Sequence, residues 1–448
     1  MGSDRVRLNV GGKPFVTSRT TLANAGRGSM LAAMIDENWD LVSELVSEEI
    51  FIDRNPSYFS VLLDLLRTGE LHIPSGMSEK ALYREAEFYG ITDRVRHARK
   101  GPLDGNRLEC VASISGRATG DGTAIRASPD GGCCVAHGSM VHVYNWAMEE
   151  QIPLTLDYVN VNDVGFLNPN CVVICTCERG DRAGGMASFN VKSGKLVHKF
   201  QVCHDDQLKN FTAGALASSD VHLYASCRGR SYEYGIGTWD QATGQQINFL
   251  YETPGRPLGD ACKLQWLPQS NLLLVATLFP RSDHSFVSLL DFRTKGKVWS
   301  WTDSCQRKSA DEKIVMDAVA MEECSTVCVV NQFDNLGFID MRNSSHPVRW
   351  SHRYRSARVS ECEERCYSKL AVSGSQLFSS KNDSVYVFCS PDWDAARGVQ
   401  TARLRKTEGG GAISDISVGG DSLFVLHNEI NVFDVWETPG SSGIAEVL

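Results

Sequence analysis

Cysteine is the residue type in this 448-residue chain best suited to chemistry; there are fifteen, and two pairs have a spacing that invites a metal reading. Cys324 and Cys328 are separated by three residues, as are Cys362 and Cys366. A structural zinc needs four ligands, and neither pair is followed by the C-x-x-C or His-x₃-His that would complete the set. Cys324 and Cys328 fall at and inside a β-type run, where a buried thiol is the simpler reading. Cys362 and Cys366 lie in a long polar connection. Cys175 and Cys177 alternate onto one face of a strand and read as core. Gly12-Lys13 is no phosphate loop, because Pro14 follows and no glycine stands five residues earlier. HExxH and G-x-S-x-G are both missing. Carboxylate pairs such as Asp205-Asp206 and Glu363-Glu364 sit on loops and read as solvated charge. The residues give no reason to expect an enzyme or a cofactor, and a metal or redox reading rests on the scattered cysteines alone, Cys362 and Cys366 foremost.

The elements that carry these residues change character near position 100. Before it the signals are helical; after it short β-type runs alternate with Gly, Asn, Asp and Pro turns. Two or three domains are expected from the length. Apolar content of 42 % and charged content of 22 % describe an ordinary soluble chain. Apolar runs such as LLLVATLF (272–279) are far too short to span a bilayer, and MGSDRVRL lacks the apolar core of a signal peptide. Dispersed cysteines suit reduced thiols in the cytoplasm, with the nucleus as the alternative. A formal net charge of −9 argues against nucleic acid or anionic lipid as partner.

In the first ninety residues, Val6, Leu8 and Val10 alternate with Arg7 and Asn9 as a half-buried strand. Gly11-Gly12 turns the chain, and Phe15-Val16 begin the return. Thr20 or Thr21 is expected to cap a helix that carries Leu22, Met30, Leu31 and Met34. Ile50 and Ile52 mark a further strand. Asn55-Pro56 then open a helix with Phe59, Leu62, Leu63 and Leu66 at helical spacing, closed by Gly69. Ser78 caps a last helix whose buried face is Ala81, Leu82, Ala86 and Tyr89.

The ordered motifs VRLNVGG, TTLANAGRGSML, IFIDRNPSYFSVLLDLLRTGEL and LYREAEFYGI resemble the BTB (POZ) domain. The variant is that of potassium-channel tetramerisation domains and KCTD-type proteins. The resemblance implies self-association, often as rings, and in many members binding of cullin-3 as substrate adaptors of ubiquitin ligases. In that family the aromatic of the EAEFY motif contacts the cullin. That places the contact on Phe88, with Tyr89, Tyr83 and Thr68 on the same expected surface. Many adaptors carry extra helices after this domain. Here only DRVRHARK precedes the segment GPLDGN, so the contact would rest on the BTB surface and on oligomeric avidity.

The remaining two thirds repeat. Strand ends fall at Asn145, Asn190, Asp240, Asp291, Asp340, Ser390 and Asp434, spaced 45, 50, 51, 49, 50 and 44 residues apart. That is the length of a four-stranded propeller blade, and seven landmarks imply seven blades. Second strands such as CVVICTC, LLLVAT and TVCVVN are continuous apolar runs, as burial between neighbouring blades requires. The pattern resembles an eroded WD40-type propeller in which Trp239-Asp240 keeps the WD dipeptide. RLECVASI (107–114) is expected to complete the last blade and close the ring. The whole chain thus resembles the BTB–WD-repeat proteins of plants and animals. The expected fold is an α/β BTB (POZ) domain at 4–97, a linker at 98–106, an all-β seven-bladed WD40-like β-propeller at 107–437, and a tail at 438–448.

Partner binding on the propeller is expected on long second-to-third-strand loops of three adjacent blades: 178–185, 227–235 and 279–285. They bring Arg179, Arg182, Arg228, Arg230 and Arg281, with Tyr232 and Tyr234, toward one rim, where they could grip an acidic or phosphorylated segment. Glu178, Asp181, Glu233 and Asp283 in the same loops offer internal ion pairs instead. Two functional readings follow. In one, the BTB domain oligomerises and holds cullin-3 while the propeller recruits a substrate protein. In the other, the chain is an oligomeric scaffold for signalling, trafficking or transcription complexes that never meets a cullin.

Overall fold

A computed structural model describes residues 5–26, 28–35, 49–116, 122–155, 160–176, 185–204, 207–209, 211–229, 234–251, 258–277, 285–302, 315–342, 348–350, 366–389, 399–405, 411–428 and 432–439. Two compact units emerge, Leu103–Thr438 and the remainder of the chain.

In the N-terminal unit, β1 (Arg5–Val10) pairs antiparallel with β2 (Lys13–Ser18) and parallel with β3 (Ile50–Ile52). The β1–β2 turn needs glycine for two reasons. Gly11 and Gly12 have φ of 55° and 88°, and a Cβ on Gly11 would lie 2.4 Å from the Arg54 carbonyl oxygen. Short helices α1 (Arg19–Ala23) and α2 (Met30–Ala33) follow. The cap of α1 is Ser18 rather than a threonine: its Oγ accepts the Thr21 N–H at 3.1 Å. The hydroxyl one residue before the helix is the one that reaches the orphan donor.

Helix α3 (Pro56–Thr68) starts at the Asn55 cap with Pro56 in its first turn, and Gly69 ends it in the left-handed region. Its buried residues are Phe59, Val61, Leu62, Leu63, Leu65 and Leu66. Helix α4 (Glu79–Tyr89) begins at Ser78 and ends at Gly90, again left-handed. The expected linker is divided. Residues up to Lys100 form α5 (Thr92–Lys100), closed by Gly101, whose N–H reaches the His97 carbonyl. Leu103 onward belongs to the second unit. There Asp104 N–H donates to Thr438 Oγ1 at 2.9 Å and Gly105 N–H to Gln376 Oε1 at 2.8 Å. Gly105 is small for packing rather than flexibility: a Cβ there would come within 2.7 Å of Val387.

The second unit contains, among the described residues, seven four-stranded antiparallel sheets. Their inner strands are Gly122–Ala127, Val161–Asn168, Thr212–Ser218, Ala261–Leu267, Val315–Met321, Leu370–Ser373 and Ile413–Gly419, blades 1 to 7 in order. Each inner strand contacts the next, and Ile413–Gly419 contacts Gly122–Ala127, so the ring closes. One apolar core fills each seam. At the joint between last and first blades it comprises Ile125, Cys133, Val135, Tyr144, Phe424, Leu426, Phe433 and Val435. The outer strand of blade 7 is Glu109–Ser115, paired antiparallel with Val432–Glu437. That third strand runs past Asp434 to Glu437, so Asp434 lies mid-strand instead of ending it. A polar line stitches this blade: Ser113 Oγ donates to Asp434, whose other oxygen lies 2.9 Å from His427 Nε2.

The outer strands share a device that the sequence did not advertise. In five blades the register slips by one residue, leaving Val111, Val197, Ile247, Val298 or Thr401 unpaired and outward-facing. All five are β-branched and exposed. A bulge twists the outermost strand and breaks the row of free backbone groups on which another sheet could template.

Candidate functional site

In the N-terminal unit the candidate surface is built on α4. Leu82, Tyr83, Ala86 and Tyr89 turn inward, and Phe88, one position round the helix from Tyr89, is left 42 % exposed. The ring is held on two sides. Tyr89 packs against it at 5.1 Å and 86°, and the Arg54 guanidinium carbon lies 4.4 Å from its centroid. Arg54 is fixed in turn by a forked pair with Glu85, Nε to Oε2 at 3.0 Å and Nη2 to Oε1 at 2.9 Å. Tyr89 and Tyr83 do not share this surface: Tyr89 is fully buried and Tyr83 is 6 % exposed. Both face the domain core, and burial pushes the Tyr89 hydroxyl above its usual pKa. Thr68 is exposed at the end of α3, where its hydroxyl donates to the Asp64 carbonyl at 2.9 Å. The sequence reading passed over Phe51, 63 % exposed between the two isoleucines of β3, and Val16, 55 % exposed. Their alternation with buried neighbours was the available signal.

In the propeller, the axis carries an ionic collar. Arg126, Asp163, Lys263, Asp317, Lys369 and Asp415 come from blades 1, 2, 4, 5, 6 and 7 and line one cavity of about 360 Å³. The three aspartates are equivalent. Each follows a register slip near the start of its inner strand. Each also accepts the next residue's N–H (Val164, Ala318, Ile416) and an N–H of the following blade (Leu216, Leu370, Ile125) at 2.7–3.1 Å. Arg126 bridges Asp163 and Asp415, and Lys263 reaches Asp317 at 2.8 Å. Burial works against the Asp415 charge, but Arg126 and Lys369 hold its carboxyl below the usual range. Burial likewise opposes the Lys369 charge, and Asp415 and Asp317 hold that ammonium above the ordinary lysine value. Asp163 goes the other way, pushed up by burial more than Arg126 pulls it down. A sequence signal existed and was missed: aliphatic-x-Asp-aliphatic or alanine recurs at 161–164, 315–318 and 413–416, whole blade periods apart.

The collar sits at one end of the channel. Register sets the inner-strand starts beside the second-strand ends, Thr212 with Arg228 and Ala261 with Thr277. The loops expected to hold the partner leave from that same end. Arg228 and Tyr234 are strand residues paired across blade 3 rather than loop residues. Arg228 is half-exposed and bonds Asp260 at 3.0 Å. Arg179, Arg182, Arg230, Tyr232 and Arg281 lie outside the described residues, as do Cys177 and Cys362.

Comparison with known proteins decides the family. Residues 116–438 match the model of the At2g24240-like C-terminal beta propeller, and residues 6–98 match the BTB/POZ domain. The chain belongs to the At2g24240-like family. It is similar to the Arabidopsis thaliana BTB/POZ domain-containing protein At2g24240, 56 % identical over 98 % of both chains. At4g30940 of the same plant is 55 % identical over 98 % of each. Human KCTD9 and KCTD5, both named as BTB/POZ domain-containing, match the first domain alone, at 38 % over 96 residues and 40 % over 92. These span 21 % and 20 % of this chain, and 25 % and 39 % of their own.

BTB and propeller domains are typically non-catalytic interaction modules. Cys133, Cys134, Cys175, Cys227 and Cys328 are buried in strands, where burial pushes every one of their pKa values up. Cys324 lies on a single 3₁₀ turn just ahead of the strand that holds Cys328. Among the described residues no three His, Cys, Asp or Glu side chains gather as a metal site. No described helix is long and apolar enough to cross a membrane.

Proposed function

We propose that this chain is a substrate adaptor of a cullin-3 ubiquitin ligase. Its BTB domain self-associates and holds the cullin, and its propeller recruits the protein to be modified. The observation that carries the reading is Phe88: an aromatic side chain exposed on α4 and braced by Arg54 and Tyr89. An anchored aromatic with one free face is the kind of residue on which interface energy concentrates. Similarity of the first domain to KCTD5 and KCTD9 supports the same assignment. On the propeller, recruitment is assigned to the end that carries the collar and Arg228. Tethering substrate and ligase raises their effective concentration, so the adaptor acts through proximity and not through bond chemistry.

The test is capture of purified cullin-3 by the full chain, native against Phe88→Ala. Native binding is expected, with a loss of about thirtyfold or more in the variant, the size of an interface hot spot. Self-association should be equal in both. Failure of the native chain to bind sinks the adaptor reading and leaves the oligomeric scaffold. Equal binding by both keeps the adaptor and removes Phe88 from the contact.

A further inference from the structure

Arg54 occupies an unusual position between three fixed groups. Its backbone is pinned in the β3–α3 connection, with its N–H on the Ile52 carbonyl at 2.9 Å and its own carbonyl against Gly11. Its side chain then crosses to α4, where Glu85 and Phe88 stand three residues apart on one face of the helix. Glu85 takes two N–H groups of the guanidinium, whose carbon lies over the Phe88 ring, 4.4 Å from its centroid. An exposed phenylalanine on a helix surface would otherwise exchange rotamers, and a partner would have to freeze that motion on binding. Here the guanidinium lies over the ring and Tyr89 packs against it nearly perpendicular, so the ring is held in one orientation.

We infer that Arg54 is a positioning residue for Phe88, holding the ring ready for the partner without touching the partner itself. The inference rests on the proposed cullin contact and adds its mechanism. Lysine keeps the charge but cannot make the fork and lie flat at once. Arg54→Lys is therefore the informative variant, and it spares the Gly11 contact, which involves only backbone.

Two measurements test it on the full chain. First, Arg54→Lys should weaken cullin-3 binding about three- to fivefold, the scale of an exposed cation–π contact. The same change in a Phe88→Leu background, which keeps an apolar contact but no ring, should cost nothing further. Equal losses in both backgrounds, or none in the first, would overturn the positioning role. Second, with fluorinated phenylalanine incorporated, the Phe88 resonance is assigned by its disappearance in Phe88→Leu. It should shift and broaden in Arg54→Lys with no cullin present, and an unchanged resonance also overturns the inference. If the native chain binds no cullin-3, the adaptor reading fails on that result, while the resonance still decides whether Arg54 orders the ring.

Discussion

Replacing Asp415 by alanine should loosen the joint between the last and first blades. Its carboxylate accepts the Ile125 N–H at 3.1 Å, the Ile416 N–H at 3.0 Å, and the Arg126 guanidinium, with its side chain only 11 % exposed. Alanine leaves two buried backbone donors unpaired and deprives Arg126 of one of its two counter-ions. Orphaned buried donors cost about 1–3 kcal/mol each, and breaking a buried ion pair from one side costs about 3–5 kcal/mol. These terms overlap, so about 3–5 kcal/mol is expected in all. Asp317→Ala, which cuts the matching bonds between blades 5 and 6, should cost a similar amount. Asp260→Ala removes a half-exposed pair with Arg228 and should cost about 0–1 kcal/mol. Urea unfolding followed by tryptophan fluorescence isolates the effect, since every tryptophan except Trp39 falls in sequence within the propeller match, 116–438. The pH dependence supplies a second check. Because the Asp415 pKa is lowered on folding, its stabilisation is whole above the unfolded carboxylate value and disappears as pH falls through the depressed one. The gap between native and variant should hold from neutrality to about pH 5 and begin to narrow below about pH 4. A loss under about 1 kcal/mol at neutral pH, or a gap that widens in acid, would refute the stapling argument.

Trp239→Ala should destabilise the propeller by about 3–5 kcal/mol in the same assay, because it empties a fully buried site. The indole packs against Phe200 and Phe211 and donates to the Gln201 carbonyl at 2.9 Å. Iodoacetamide at pH 7.5, mapped by mass spectrometry, should modify exposed Cys203 early and leave Cys133, Cys134, Cys175, Cys227 and Cys328 intact until denaturant is added. Cys262, also exposed, should lag behind Cys203, since desolvation and the Asp317 charge push its thiol up to about 11.

Legibility followed the range of the interactions. Asn55-Pro56, Ser78 and Gly69 act within a few residues and could be placed from the sequence, as could the Gly11-Gly12 turn, though not the close approach of Arg54 to Gly11. The cap of α1 was misplaced by two or three positions, because Thr17, Ser18, Thr20 and Thr21 stand together and only geometry selects Ser18. The α4 surface was half legible. The helical period put Tyr89 on the buried face, where it lies, while the family motif grouped it with Phe88 on the contact surface, where only Phe88 lies. Arg54 was not legible at all, since its role depends on a crossing between elements thirty residues apart in sequence.

By itself the sequence determined that there are two kinds of domain and that the second repeats seven times. Alternation, turn residues and period are local properties that each segment carries alone. The tertiary structure alone decided which charges meet. Asp163, Asp317 and Asp415 stand far apart in the chain and become equivalent only when seven inner strands surround one axis. The same ring turned Leu103–Asn106 from a connector into packed structure, because the space between blades 6 and 7 exists only once both blades are formed.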